Sequence, residues 1–228
     1  MPPSNPPLAH HTTDRLHDVD SAADYLRCGR RLIYRPVAER KIRHTKAGRS
    51  LRFWQSDRDA YLEELLVRRE LAVNFAHYCP NYDSFDALPA WAKRTLADHE
   101  RDSRETVYTR AQLEAGATHD RYWNAAQAEM VRTGFMHNSM RMYWGKKVLE
   151  WKASAREAFA DVLYLNNRYF LCGRDPVAYA NVAWVFGLHD RQWGPARPVF
   201  GTVRYMNAAG LERKFDMEAY VAQNPRIT

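Results

Sequence analysis

At 228 residues and 26.6 kDa, with 46% hydrophobic and 27% charged residues, the chain can fill one sizeable core and is too apolar to be disordered throughout. The formal net charge of +7 is concentrated at the start, where residues 1–56 hold eleven Lys/Arg against five Asp/Glu, so the basic total says little about a nucleic-acid surface on the rest. No apolar run approaches a bilayer span, MPPSNPPLAHH lacks the basic start and apolar stretch of a signal peptide, and Cys28, Cys79 and Cys172 are too scattered for a disulfide framework, which predicts a cytoplasmic monomer with free thiols.

Residues 1–13 are Pro-rich and polar and are expected to be disordered. Residues 14–56 show no sustained period, and Arg27 to Arg52 sets ten positive charges against one Glu, which predicts a poorly packed basic arm or irregular helices over 1–56. The helical domain is then expected over 57–228. A Ser56/Asp57 cap followed by Tyr61, Leu62, Leu65, Leu66, Arg69, Leu71, Val73 and Phe75 predicts a long buried helix. Asp83 to Pro89 is a turn-rich link, and further helices are predicted over 88–101, 109–115, 120–133, 138–152, 154–170 and 175–186, with Gly116, Gly134, Gly173 and Gly187 as breaks. Only Val199 to Met206 alternates about a Gly-Thr turn. The fold class is therefore all-α with one small β-hairpin.

Seven tryptophans are many for a chain of this length, because each indole needs an apolar bed and a partner for its N–H. In MHNSMRMYWGKKVLEW, Met136 to Trp151, helical periodicity puts Met140, Tyr143, Trp144, Lys147, Val148 and Trp151 on one stripe and turns Arg141 and Met142 elsewhere. Trp144 and Trp151, two turns apart, are close enough for ring contact or electron hopping; a stripe of this kind is equally compatible with plain core. Aromatic rings beside guanidinium groups suit flat, electron-rich ligands such as a flavin or a nucleobase. His10, His11, His119 and His137 lack metal-ligand spacing, so no metal is assigned, and His189-Asp190 reads as a local hydrogen-bonded turn.

WNAAQAEMVRTGFMHNSMRMYWGKKVLEW, YLNNRYFLCGRDP, AWVFGLHDRQW and RPVFGTVRYMNAAGLERKFD, in that order and preceded by EELLVRRELAVNF, resemble the flavin-binding C-terminal domain of class II cyclobutane pyrimidine dimer DNA photolyases. The resemblance runs from about Tyr61 to about Tyr220. It implies an FAD-dependent lyase that repairs pyrimidine dimers in DNA by light-driven electron transfer to a flipped lesion. On that resemblance, Glu64 and Met142 would meet the lesion, Trp123, Trp144 and Trp151 would relay electrons to the flavin, and Arg141, Asn166 and Asp175 would contact the cofactor. Trp184 would stack on the extruded dimer, Trp193 and Arg191 would fill the vacated space, and Arg204 would anchor a phosphate or stabilise its loop.

The chain departs from the family's pattern as well. The antenna-carrying α/β domain is missing, Ala22 to Arg31 matches the phosphate-lining segment only faintly, and Cys172 stands where an Asp is usual beside Arg141. These departures leave two alternatives open: a degenerate DNA-binding remnant without flavin, and a cryptochrome-like photoreceptor that does no repair. They also predict weaker FAD binding than in an intact relative.

Overall fold

The computed structural model describes residues 16–18, 20, 45–47, 50–54, 59 and 63–225. The chain divides into two compact units, one running to Leu71 and one from Ala72 onward.

In the first unit, β1 (Leu16–Asp18), β2 (Thr45–Ala47) and β3 (Ser50–Trp54) form a sheet of order β1-β3-β2. Both pairings of the central strand are antiparallel, with Leu16 opposite Trp54 and Thr45 opposite Arg52. Strands this short carry too few residues for a period-2 pattern, and the sequence here was expected to be a patternless arm or irregular helices. β2 and β3 are only two residues apart in the chain, with Ala47 opposite Ser50, whereas β1 reaches β3 from distant sequence.

A π-helical stretch, Glu63–Arg68, runs into α1 (Arg69–Tyr78). Expected as a buried helix, this segment instead exposes Leu66, Val67 and Leu71 at 46–53% and Val73 at 38%, while Ala72 is buried. A π turn advances each residue by less than the α-helical angle, so one apolar face cannot hold its register through both segments.

The second unit is a helical assembly whose boundaries follow local capping. A short 3-10 turn at Phe85–Ala87 precedes α2 (Ala90–Asp98), α3 (Arg110–Glu114), α4 (Arg121–Thr133), α5 (Asn138–Trp151), α6 (Ala155–Tyr169), α7 (Pro176–Val185), α8 (Ala208–Glu212) and α9 (Met217–Gln223). Thr109 and Gln112 close a capping box on α3, the Asp120 carboxylate accepts from the Tyr122 and Trp123 amides at the start of α4, and Ser154 caps α6. Gly134 ends α4 at φ 67°, a left-handed conformation that favours glycine.

Helix α5 is the spine, packed against α4, α6 and α7. Its buried face holds Met140, Tyr143, Trp144, Val148, Leu149 and Trp151, with Arg141 and Met142 half-buried on other faces. The reversal predicted at Val199 to Met206 is tighter than a two-stranded hairpin: Arg197 and Gly201 exchange backbone bonds in one antiparallel bridge, and Trp193 donates to the Thr202 carbonyl. Among the described residues, no helix is long and apolar enough to cross a membrane.

Candidate functional site

Three indoles meet where α4 crosses α5. Trp123 stacks on Trp144 with ring centroids 6.1 Å apart and planes 9° from parallel, and it meets Trp151 edge-on at 5.6 Å. All three are at most 2% exposed. Contact therefore runs Trp144–Trp123–Trp151, and the expected direct pairing of Trp144 with Trp151 is replaced by an indole from the neighbouring helix. Two turns of α-helix span about 11 Å, which leaves room for one intervening ring.

The indole N–H groups are satisfied inside the core. Trp123 Nε1 donates to the Trp144 carbonyl at 2.9 Å, and Trp144 Nε1 donates to Gln127 Oε1 at 2.9 Å. Gln127 is fully buried and donates onward to the Glu114 carbonyl. Its role was invisible in the sequence, where a lone Gln in a helix reads as surface; a buried indole's need for an acceptor was the available signal.

At one end of the path, Phe170 meets Trp144 edge-on at 6.4 Å and carries the Arg141 guanidinium 3.8 Å from its centroid. Arg141 Nη2 donates to Asn166 Oδ1 at 2.7 Å and lies 3.4 Å from Cys172 Sγ. Asn166 is 1% exposed and also donates to Asn167 Oδ1. Among the described residues no carboxylate pairs with Arg141, whose side chain there meets the neutral Asn166, Cys172 and Phe170. At the other end, Trp151 touches Tyr108 and His119, each with centroids 5.3 Å away, and His119 is exposed. Asp175 is the N-cap of α7, accepting from the Val177 amide.

A second cluster surrounds Asp190, beyond the end of α7. Its Oδ1 accepts from Trp193 Nε1 at 3.0 Å, the Arg191 amide at 2.9 Å and Arg204 Nη2 at 3.3 Å, while Oδ2 pairs with Arg204 Nε at 3.1 Å. Two guanidinium groups stand over the Trp193 ring, Arg191 at 4.3 Å and Arg204 at 4.4 Å from its centroid. Burial opposes ionisation of Asp190, but the bonds from Trp193 and Arg191 and the Arg204 charge together hold its carboxyl below the usual range. Asp190, expected with His189 in a local hydrogen-bonded turn, bonds the neighbouring Arg191 amide and Trp193 and in addition reaches Arg204 from farther along the chain.

Arg197, Arg204, Arg213 and Lys214 line a cavity of about 440 Å³ together with Trp193 and Tyr205. Trp184 is half-buried near the end of α7, edge-on to His189 at 6.4 Å. Beneath lies Lys146, fully buried, whose ammonium donates to the Val185 carbonyl. Of the remaining predicted residues, Met142 packs half-buried against the core and Glu64 lies in the π-helical stretch, its side chain outside the described residues. No group of three His, Cys, Asp or Glu able to hold a metal comes together among the described residues.

No family model matches the chain. Individual relatives do: it is 58% identical over 161 residues to the deoxyribodipyrimidine photo-lyase of Methanothermobacter thermautotrophicus, covering 71% of this chain and 36% of that protein. The Oryza sativa protein of the same name is 54% identical over 170 residues, covering 74% of this chain and 33% of the relative. The Arabidopsis thaliana one is 44% identical over 222 residues, covering 94% and 43%. The chain thus spans about a third to under half the length of these relatives. Similarity of this depth over a helical fold with a continuous tryptophan contact path makes the chain, over the part it spans, a member of the deoxyribodipyrimidine photo-lyase family.

Proposed function

We propose that this chain forms the helical, FAD-holding and DNA-holding part of a class II type lyase that repairs cyclobutane pyrimidine dimers in light. The observation that carries the reading is the unbroken ring path Trp144–Trp123–Trp151 between the Arg141 end and exposed His119. A guanidinium without a carboxylate partner among the described residues, and a buried amide beside it at the head of that path, fit an electron-rich ring system carrying negative charge. Reduced FAD, when bound, supplies the light-excited electron donor.

In this reading Arg141 and Asn166 hold the isoalloxazine, and Asp175 holds the start of α7 beside them. The three indoles carry electrons inward from the surface, since indoles give up an electron more readily than most side chains and are here in contact. Trp184 stacks on the extruded dimer, Glu64 hydrogen-bonds it, and Met142 packs on it. Flipping the lesion costs a few kcal/mol, least for a damaged pair that already stacks poorly. Trp193, clamped by Arg191 and Arg204, stands ready for the space left behind, and the four cations of the neighbouring cavity suit backbone phosphates.

The test is illumination of the purified chain with added oxidised FAD and an external electron donor. Trp144→Phe is expected to slow flavin photoreduction at least about tenfold while leaving the affinity for dimer-containing DNA within about twofold. Equal photoreduction in variant and parent would remove Trp144 from the path. Loss of dimers from irradiated oligonucleotides separates repair from light sensing alone.

A further inference from the structure

Two indoles of the path have no effective base at their N–H groups. Trp123 and Trp144 donate to a backbone carbonyl and a side-chain amide oxygen, both very weak bases. A one-electron-oxidised indole there keeps its N–H proton and can pass the positive hole onward without rearrangement.

The outer end is built differently. Tyr108 is 8% exposed, in edge contact with Trp151 at 5.3 Å, and its amide donates to the Trp151 carbonyl. Its hydroxyl accepts from the His119 amide at 2.9 Å and lies 2.7 Å from His119 Nδ1. With the His119 proton on Nε2, Nδ1 accepts and the phenolic O–H donates to it. The two rings also stack, 25° from parallel.

We propose that Tyr108 and His119 form a proton-coupled terminus to the tryptophan path, with His119 Nδ1 as the proton acceptor. One electron moves from the Tyr108 phenol to an indole radical cation at Trp151, which returns to neutral indole. The phenolic O–H bond breaks as its proton bonds to Nδ1, leaving a neutral tyrosyl radical and an exposed imidazolium. A phenol losing only an electron becomes a strongly acidic cation at high energy, so the aligned base is what makes the step favourable. Water then takes the added proton from the imidazolium, restoring neutral His119 and leaving the hole trapped as the Tyr108 radical. This terminus rests on reading the tryptophans as an electron path, not on the flavin itself.

The experiment therefore needs no flavin. A ruthenium polypyridyl oxidant is tethered to exposed Cys172, beside Arg141 at the inner end, in full-length chain carrying Cys28→Ser and Cys79→Ser. After a flash, transient absorption should show an indole radical followed by a tyrosyl radical, formed more slowly in D2O. Tyr108→Phe should abolish the tyrosyl signal. His119→Asn, which keeps a hydrogen-bonding oxygen but no base, should cut its rate of formation roughly a hundredfold and leave the hole on indole. Tyrosyl formation in His119→Asn as fast as in the parent, or no Tyr108-dependent radical in the parent, overturns the proposal. If instead this series behaves as stated while Trp144→Phe leaves flavin photoreduction unchanged, the flavin reading fails and the terminus stands.

Discussion

Lys146 shows how far one residue can depart from what its position in sequence suggests. Fully buried, it has its folded pKa lowered to about 7, chiefly by desolvation, with Asp190 pulling it up and Arg204 pushing it down. Between about pH 7 and about pH 10 the unfolded chain therefore holds a proton that the folded one has released, and stability must rise with pH across that window. Urea denaturation is expected to show this rise in the parent and a flatter profile in Lys146→Met, which is the more stable of the two at the acid end. A parent profile as flat as the variant's would mean that Lys146 is not desolvated as described. Asp190 has the same sign in a lower window: its lowered pKa stabilises the fold above the ordinary carboxylate range, and that contribution is lost as the pH falls through the folded value.

The helices differ in how much of their arrangement their own residues decide. Caps at Thr109, Asp120, Ser154 and Asp175 announce helix starts locally, and Gly134 announces an end. The crossing of α5 and α7 has no such signal. It depends on Gly145, where an added Cβ would lie 2.7 Å from Val185 Cγ2 and 3.0 Å from Cγ1. Gly145→Ala is accordingly expected to destabilise by about 1–3 kcal/mol despite alanine's better helix propensity. Val185→Ala in the same chain should recover part of that loss, giving a coupling of about 0.5 kcal/mol or more in a double-mutant cycle. Additive effects would argue against the close approach. A different crossing, α4 on α5, brings Trp123 between Trp144 and Trp151, so α5 takes part in both the close approach at Gly145 and the ring path.

Over the whole molecule, the charge surplus and the compact helical unit occupy different parts of the chain. We place the beginning of the stable core between the expected boundary at Asp57 and the division at Leu71 and Ala72. Limited proteolysis followed by mass measurement should yield a persistent fragment starting in that interval and retaining α2 to α9. A resistant fragment that still begins near residue 16, with the three strands intact, would show that the sheet shares the core's stability.

Sequence alone determined the approximate boundaries of α2 to α7, the predominance of helix, the two faces of α5 and the family motifs, because capping groups, glycines and a 3.6-residue period act over a few neighbouring residues, whereas α8 and α9 were not expected from it. Arg141, Asn166 and Cys172, far apart in sequence, were named through the resemblance, and the fold brings them together. Only tertiary structure decided that Trp123 sits between the other two indoles, that Gln127 holds an indole N–H, that Asp190 gathers Trp193 and Arg204, and that Tyr108 faces His119. The pairing of β1 with β3 belongs with these. Each depends on where a second element crosses the first, and a residue's own periodicity carries no record of the angle or depth of that crossing.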